Sequence, residues 1–141
     1  MSANVVRLVM PAKTEYLIVA RLALAGIARE VPMGDSVLAD LKLAVTEACG
    51  NAVRYARPSD ESVILVKFTI DDGSIEICVE DEGPGPGSVV VREGRAPVSG
   101  DLSESGMGLA IIRALVDELE IRGRDDAQGT LLRMRKRLTA G

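Results

Sequence analysis

The chain has 141 residues, of which 47% are hydrophobic and 27% charged. This composition fits a single globular domain and excludes global disorder. A net charge of −4 and an aromatic content of 2% provide neither a basic face nor stacking platforms, so we predict no direct nucleic-acid partner. The chain has no histidine, so the commonest zinc ligand and general base is missing.

Localisation is predicted from the apolar segments and the two cysteines. No charged-then-apolar leader opens the chain, and the longest apolar run is short and interrupted by Arg21. These features predict a cytoplasmic protein without membrane contact. Cys49 and Cys78 lie among small or apolar residues, and we expect both to be reduced and buried rather than paired or metal-bound.

In chain order, the sequence predicts an edge strand, two helices, a hairpin, a long loop, a third helix and a closing hairpin. β-Rich or alternating segments predict strands over residues 5–10, 63–70, 74–79, 119–124 and 130–138. Helical apolar spacing covers residues 13–31, 36–57 and 108–118. We therefore predict one α/β domain, residues 1–141, a two-layer sandwich with helices on one face of a mainly antiparallel mixed sheet.

Glu47 and Asn51 form the first candidate constellation. At i and i+4 they share one face of the second predicted helix. They lie roughly opposite its apolar stripe, so an ordinary solvated face is the alternative. Their neighbours Ala44, Ala48 and Gly50 are small, and a carboxylate beside a neutral oxygen ligand suits proton acceptance and Mg²⁺ binding.

Two glycine-rich motifs follow. Asp81-Glu82-Gly83-Pro84-Gly85 comes directly after a strand, where Asp81 can accept a hydrogen bond and the glycines permit close approach of a ligand. Ser105-Gly106-Met107-Gly108-Leu109 is predicted to open a helix, whose first N–H groups can bind phosphate. An acidic turn and a simple helix entry are the alternatives. No Lys-Ser/Thr pair follows these glycines, so this is not a P-loop.

The order of these motifs resembles the N, G1 and G2 boxes of the gyrase, chaperone, histidine-kinase and mismatch-repair ATPase superfamily, which has the Bergerat fold. The likeness covers nearly the whole chain. It is greatest to the bacterial anti-sigma-factor serine/threonine kinases of the general-stress type. It is carried by Met10-Pro-Ala-Lys-Thr-Glu-Tyr, by the segment from Asp40 to Val53, and by Leu102-Ser-Glu-Ser-Gly-Met-Gly-Leu.

The resemblance implies a role for each matching residue in binding ATP and Mg²⁺. Glu47 becomes the general base and Asn51 the Mg²⁺ ligand. Asp81 recognises adenine, Gly83 and Gly85 shape its pocket, and Thr130 supports Asp81. Residues 82–106 contain the ATP lid with its flanking glycine boxes, and the phosphates are bracketed by Gly106, Met107, Gly108 and Leu109. Tyr55, Arg57 and Glu104 stand where other family members often carry different residues.

The expected activity is that of an anti-sigma factor with serine/threonine kinase activity. The chain lacks a phospho-accepting His, and we find no second domain that hydrolysis could drive. By resemblance it sequesters a sigma factor, phosphorylates a small anti-anti-sigma protein and forms a homodimer. Two alternatives stay open: a nucleotide-gated binding module without phosphotransfer, and a switch kinase that does not bind sigma.

Overall fold

The computed structural model describes residues 4–56, 61–81, 102–124 and 129–138, with no account of the side chains of residues 102–107. Within these ranges there are five strands: β1 Asn4–Pro11, β2 Val63–Asp71, β3 Ser74–Asp81, β4 Glu118–Gly123 and β5 Thr130–Arg137. The three α-helices are α1 Leu17–Glu30, α2 Asp35–Tyr55 and α3 Leu102–Leu115. A single 3₁₀ turn, Thr14–Tyr16, leads into α1.

The five strands form one sheet in the order β1-β2-β3-β5-β4. Every ladder between the described strands is antiparallel, which confirms the predicted α/β sandwich and its mainly antiparallel sheet. The predicted edge strand is β1, at one side of the sheet. The predicted turn between β2 and β3 is also confirmed. Gly73 has φ +80° there, and the Ser74 hydroxyl donates to Asp71 Oδ1 over 2.8 Å.

The helices cover one face of the sheet, and the aliphatic core lies between the two layers. The residues of β2 alternate, so that Ile64, Val66 and Phe68 are buried. Helix α2 contacts α1, α3 and the middle of the sheet, because its buried stripe runs along one side. That stripe consists of Leu41, Ala44, Val45, Ala48, Cys49 and Ala52.

The other face of the sheet carries charges. Arg133 on β5 pairs with Glu76 on β3 over 2.8 Å, and with Glu118 and Glu120 on β4 over 3.5 and 3.7 Å. The pattern follows from the two-residue period of strands, which sends alternate side chains to opposite faces. Each of these strands therefore directs one set of alternate side chains to the core and the other set to the charged face.

Both cysteines are free and buried, as expected. Burial raises the pKa of Cys49 to about 12. Burial, followed by the charge of Glu76, raises the pKa of Cys78 to about 11. Neither thiol ionises near neutral pH, so neither is an activated nucleophile.

Helix α3 differs from its predicted range. It begins at Leu102 rather than Gly108 and ends at Leu115 rather than Glu118. The helical spacing of apolar residues begins only after the glycines, and glycines are poor helix formers. Packing against α2 overrides that local preference. At the other end, Lys136 Nζ donates to the Leu115 carbonyl over 2.6 Å, and Glu118 already belongs to β4.

The last residues of the predicted ATP lid segment fall within α3. Residues 102–106 are helical, and residues 82–101 lie outside the described part of the chain. Helix α2 ends at Tyr55, two residues before its predicted end at Arg57, which is not described. In the described ranges, no helix combines the length and apolarity needed to cross a bilayer.

Candidate functional site

An open cavity lies between α2 and the neighbouring ends of β3, β4 and β5. Three of the predicted site residues, Asn51, Asp81 and Thr130, line it. They come from a helix, a strand end and a strand start that are far apart in sequence. The remaining lining residues are Ala48, Ala52, Tyr55, Val79, Ile121 and Leu132.

Asp81 is the last residue of β3 and is only 5% exposed. It follows Ile75, Ile77 and Val79 on the core-facing side of the strand, so the two-residue period brings its carboxylate to the cavity. A carboxylate so deeply buried needs hydrogen-bond donors around it. Because Asp81 also lines the cavity, its carboxylate suits recognition of a ligand that donates a hydrogen bond.

Asn51 and Glu47 are both half-buried on α2, but they occupy different surroundings. Asn51 lines the cavity, whereas Glu47 is not among its lining residues. Glu47 faces α3: its Oε1 atom lies 3.1 Å from the position that a Cβ atom on Gly108 would take. The two α2 residues are separated by one turn, about 6 Å along the axis.

The glycine motif on α3 is placed differently from the prediction. Because the helix begins at Leu102, Gly106, Met107 and Gly108 lie beyond its first turn. The free N–H groups at its start therefore belong to residues 102–105. Leu109 is buried in the core and is not a lining residue of the cavity. Gly108 keeps a role at the site through its proximity to Glu47.

The sequence reasoning did not identify the apolar wall of the cavity. Ala48 and Ala52 belong to the buried stripe of α2 and also line the cavity, where their small size leaves the space open. Ile121 and Leu132 face each other across the β4–β5 ladder. The alternation of apolar residues along these strands was the sequence signal that could have identified them. Tyr55, noted as a departure from the family, is part of the wall. Gly83 and Gly85 are outside the described residues.

Gly129, the residue before β5, lies directly against the end of β3. Gly129 has φ +120°, and a Cβ atom built there would lie 1.9 Å from the Asp81 carbonyl oxygen. Only glycine fits a position with both this backbone conformation and this contact. Gly129 thereby brings Thr130 beside Asp81 at the cavity.

The chain also matches known proteins in sequence and in fold. Residues 10–136 match the family described as the histidine kinase-like ATPase domain. Because that match covers most of the chain, the chain belongs to the histidine kinase-like ATPase family. Solved structures agree on the fold. The catalytic domain of histidine kinase ThkA has a TM-score of 0.58 at 13% identity, with all of both chains covered.

Relatives of known name show which members of this family the chain resembles. The chain is 35% identical to the serine-protein kinase RsbW of Bacillus licheniformis over 127 residues, which covers 86% of this chain and 79% of that protein. It is 31% identical to RsbW of Bacillus subtilis, with the same coverage. The RsbU and RsbW domains of Rv1364c from Mycobacterium tuberculosis give a TM-score of 0.69 at 24% identity, covering 96% of this chain and 32% of that one. The two Bacillus relatives confirm the predicted resemblance to the general-stress serine/threonine kinases, and the Rv1364c structure agrees on the fold.

The donor set of the site fits a metal ion that arrives with phosphates. In the described ranges, no group of three or more His, Cys, Asp or Glu side chains is arranged to hold a metal. Mg²⁺ typically takes one or two protein oxygens and completes its shell with water and phosphate oxygens. The Asn51 amide oxygen at the cavity wall suits that mode of binding.

We predict that Gly129→Ala destabilises the protein far more than Gly73→Ala. Both glycines have positive φ, but nothing lies within 4 Å of a Cβ atom on Gly73. Gly73→Ala should therefore lower the free energy of unfolding by about 1–2 kcal/mol, because only the left-handed backbone conformation disfavours alanine there. Gly129→Ala adds the contact with the Asp81 carbonyl and should cost at least about 3 kcal/mol. Urea unfolding measures both free energies, and equal losses would contradict the close packing of this turn.

Proposed function

We propose that this chain is an anti-sigma factor with ATP-dependent serine/threonine protein kinase activity. It binds Mg-ATP in the cavity beside α2, phosphorylates a small anti-anti-sigma protein and sequesters a sigma factor. The observation that carries the proposal is the convergence of Asn51, Asp81 and Thr130 on one cavity, with Glu47 one turn along the same helix. Membership of the serine-protein kinase family supplies the reaction class.

The strand end of the cavity would hold the adenine ring. The buried Asp81 carboxylate accepts a hydrogen bond from the exocyclic amino group, and the Thr130 hydroxyl lies on the same wall. The faces of the ring fit against aliphatic side chains of Val79, Ile121 and Leu132. Apolar walls with a few fixed polar groups are the usual composition of such a pocket.

The helical end of the site would perform the transfer. Glu47 accepts the proton of a serine or threonine hydroxyl as its oxygen forms a bond to the γ-phosphorus. The bond from that phosphorus to the β,γ-bridging oxygen breaks, and ADP leaves. Asn51 would hold Mg²⁺, which when bound neutralises charge on the phosphate oxygens. On α3, Gly108 leaves room for the Glu47 carboxylate.

The partners follow from the family rather than from the described surface. Phosphorylation of the anti-anti-sigma protein would release it and leave the kinase free to hold sigma. Since sigma factors act on RNA polymerase, we place the chain in the cytoplasm. A homodimer is proposed on the same grounds, and sedimentation equilibrium should give twice the chain mass of 14.9 kDa.

The first test is transfer of the labelled γ-phosphate of ATP to candidate anti-anti-sigma proteins, with Mg²⁺ present. Glu47→Gln should lower transfer by about 10²–10⁴-fold, because general-base catalysis is lost while the shape is kept. ATP affinity should change little, since Glu47 does not line the cavity. Glu30→Gln, an exposed carboxylate at the end of α1, is the matched control and should transfer normally.

The same assay separates the alternatives. ATP binding by calorimetry with no transfer to any candidate would contradict the kinase and favour a nucleotide-gated binding module. Transfer that depends on Glu47, with no sigma factor captured by the purified protein, would indicate a switch kinase that does not bind sigma.

A second prediction concerns Gly108. Gly108→Ala places a methyl group about 3.1 Å from Glu47 Oε1, so the carboxylate must shift by a few tenths of an ångström. We expect phosphotransfer to fall about tenfold, because catalytic groups tolerate little displacement, while ATP affinity is kept. Gly26→Ala in α1, with nothing within 4 Å of its Cβ position, is the control for added helix propensity. Equal transfer by both variants would show that Glu47 does not depend on this space.

A further inference from the structure

A group of residues that the sequence reasoning did not identify surrounds the end of β3. It consists of Glu80, the backbone of Asp81, Arg124 and Gly129, and we refer to it as the β3 clamp. Arg124 follows β4, and Gly129 precedes β5. The clamp thus joins the closing hairpin to the strand that carries the candidate adenine-binding carboxylate.

The Arg124 side chain makes two contacts with β3. Its Nε atom lies 3.1 Å from Glu80 Oε1, and its Nη1 atom donates to the Asp81 carbonyl oxygen over 3.4 Å. The Arg124 and Glu80 side chains are only 19% and 28% exposed. An ion pair with this degree of burial is screened less than one on the surface. The nearby Arg122–Glu120 pair is longer, 3.7 Å, and its side chains are 42% and 48% exposed.

The position of Asp81 in the sheet explains why such a contact is needed. The ladder between β3 and β5 ends at the pair Glu80–Leu131. Asp81 is therefore in register with a strand on one side only, where it is paired with Ile64 of β2. On the β5 side, the Arg124 guanidinium contacts the Asp81 carbonyl beyond the last pair of the ladder.

Gly129 makes room for this arrangement. A Cβ atom there would lie 1.9 Å from the Asp81 carbonyl oxygen and 2.8 Å from Arg124 Cδ. The arginine stem and the end of β3 both pass over the bare Cα of Gly129. The Arg124 backbone N–H also donates to the Gly129 carbonyl over 3.2 Å, which holds these two residues together.

We propose that Arg124 is a positioning residue for base recognition. By holding the Asp81 peptide and Glu80 together, it fixes the orientation in which the Asp81 carboxylate meets the exocyclic amino group of adenine. Arg124 does not touch the nucleotide; it acts through Asp81. The inference rests on the proposed function, because it requires adenine to bind at Asp81.

The test compares the affinity for ADP with that for inosine diphosphate, in which a carbonyl replaces the amino group. Isothermal titration calorimetry of the full chain gives the ratio of the two dissociation constants. Arg124→Met should weaken ADP binding about tenfold, the loss expected for a charge-assisted hydrogen bond, and should change inosine diphosphate binding much less. Glu80→Gln should also lower the preference for ADP over inosine diphosphate, by a smaller factor. Arg124→Lys, which can still reach Glu80, should recover part of it.

Arg122→Met is the matched control, since it removes an arginine from the same hairpin whose ion pair with Glu120 lies at the surface. It should leave the ratio unchanged. An effect on stability alone would appear as a lower unfolding midpoint with an unchanged ratio in Arg124→Met, and that result would overturn the inference. If Arg124→Met and Arg122→Met both keep the wild-type ratio of the two dissociation constants, the inference is overturned as well.

A further variant separates this inference from the proposed function. Asp81→Asn should abolish the preference for ADP. If the wild-type protein shows no preference, or Asp81→Asn keeps it, the adenine site at Asp81 is wrong and the role of Arg124 fails with it. If Asp81→Asn loses the preference and Arg124→Met does not, only the role of Arg124 is wrong.

Discussion

Helix α2 packs on the sheet through alanines, and the site exists because of that packing. Ala48 and Ala52 are buried in the core and also line the cavity. Larger side chains would fill the space between α2 and the ends of β3 and β5. Protein interiors otherwise leave few voids larger than a water molecule. The cavity at this point is therefore a consequence of which residues form the buried stripe.

The rotation of α2 about its axis also sets the positions of the polar residues. Once its stripe is buried, Asn51 must lie at the cavity edge and Glu47 must face α3, one turn away. The proposed division of labour follows directly. The strand ends, with Asp81 and Thr130, would recognise adenine. Helix α2 would carry both the general base and the metal ligand, and Gly108 of α3 leaves space beside that general base.

The closing hairpin contributes more than two strands. Gly129 lies against the Asp81 carbonyl, and the Arg124 side chain reaches across it to Glu80. An antiparallel ladder fixes a strand only as far as its last pair, and Asp81 lies beyond that pair on the β5 side. Side-chain contacts take over where backbone pairing stops. The Arg133 network joins β3, β4 and β5 on the charged face of the sheet.

The sequence by itself determined the elements and most of the candidate residues. Strand alternation, helical spacing and the Asp71-Asp72-Gly73 turn are properties of neighbouring residues, and they predicted the edge strand, the hairpin and α2 within two residues. Asp81 and Asn51 were identified because their motifs are local. The start of α3 was wrong, because packing on α2 outweighs the low helix propensity of Gly106 and Gly108. The apolar wall, the proximity of Glu47 to Gly108 and the contacts of Arg124 were decided by the tertiary structure, because each joins residues that no local pattern relates.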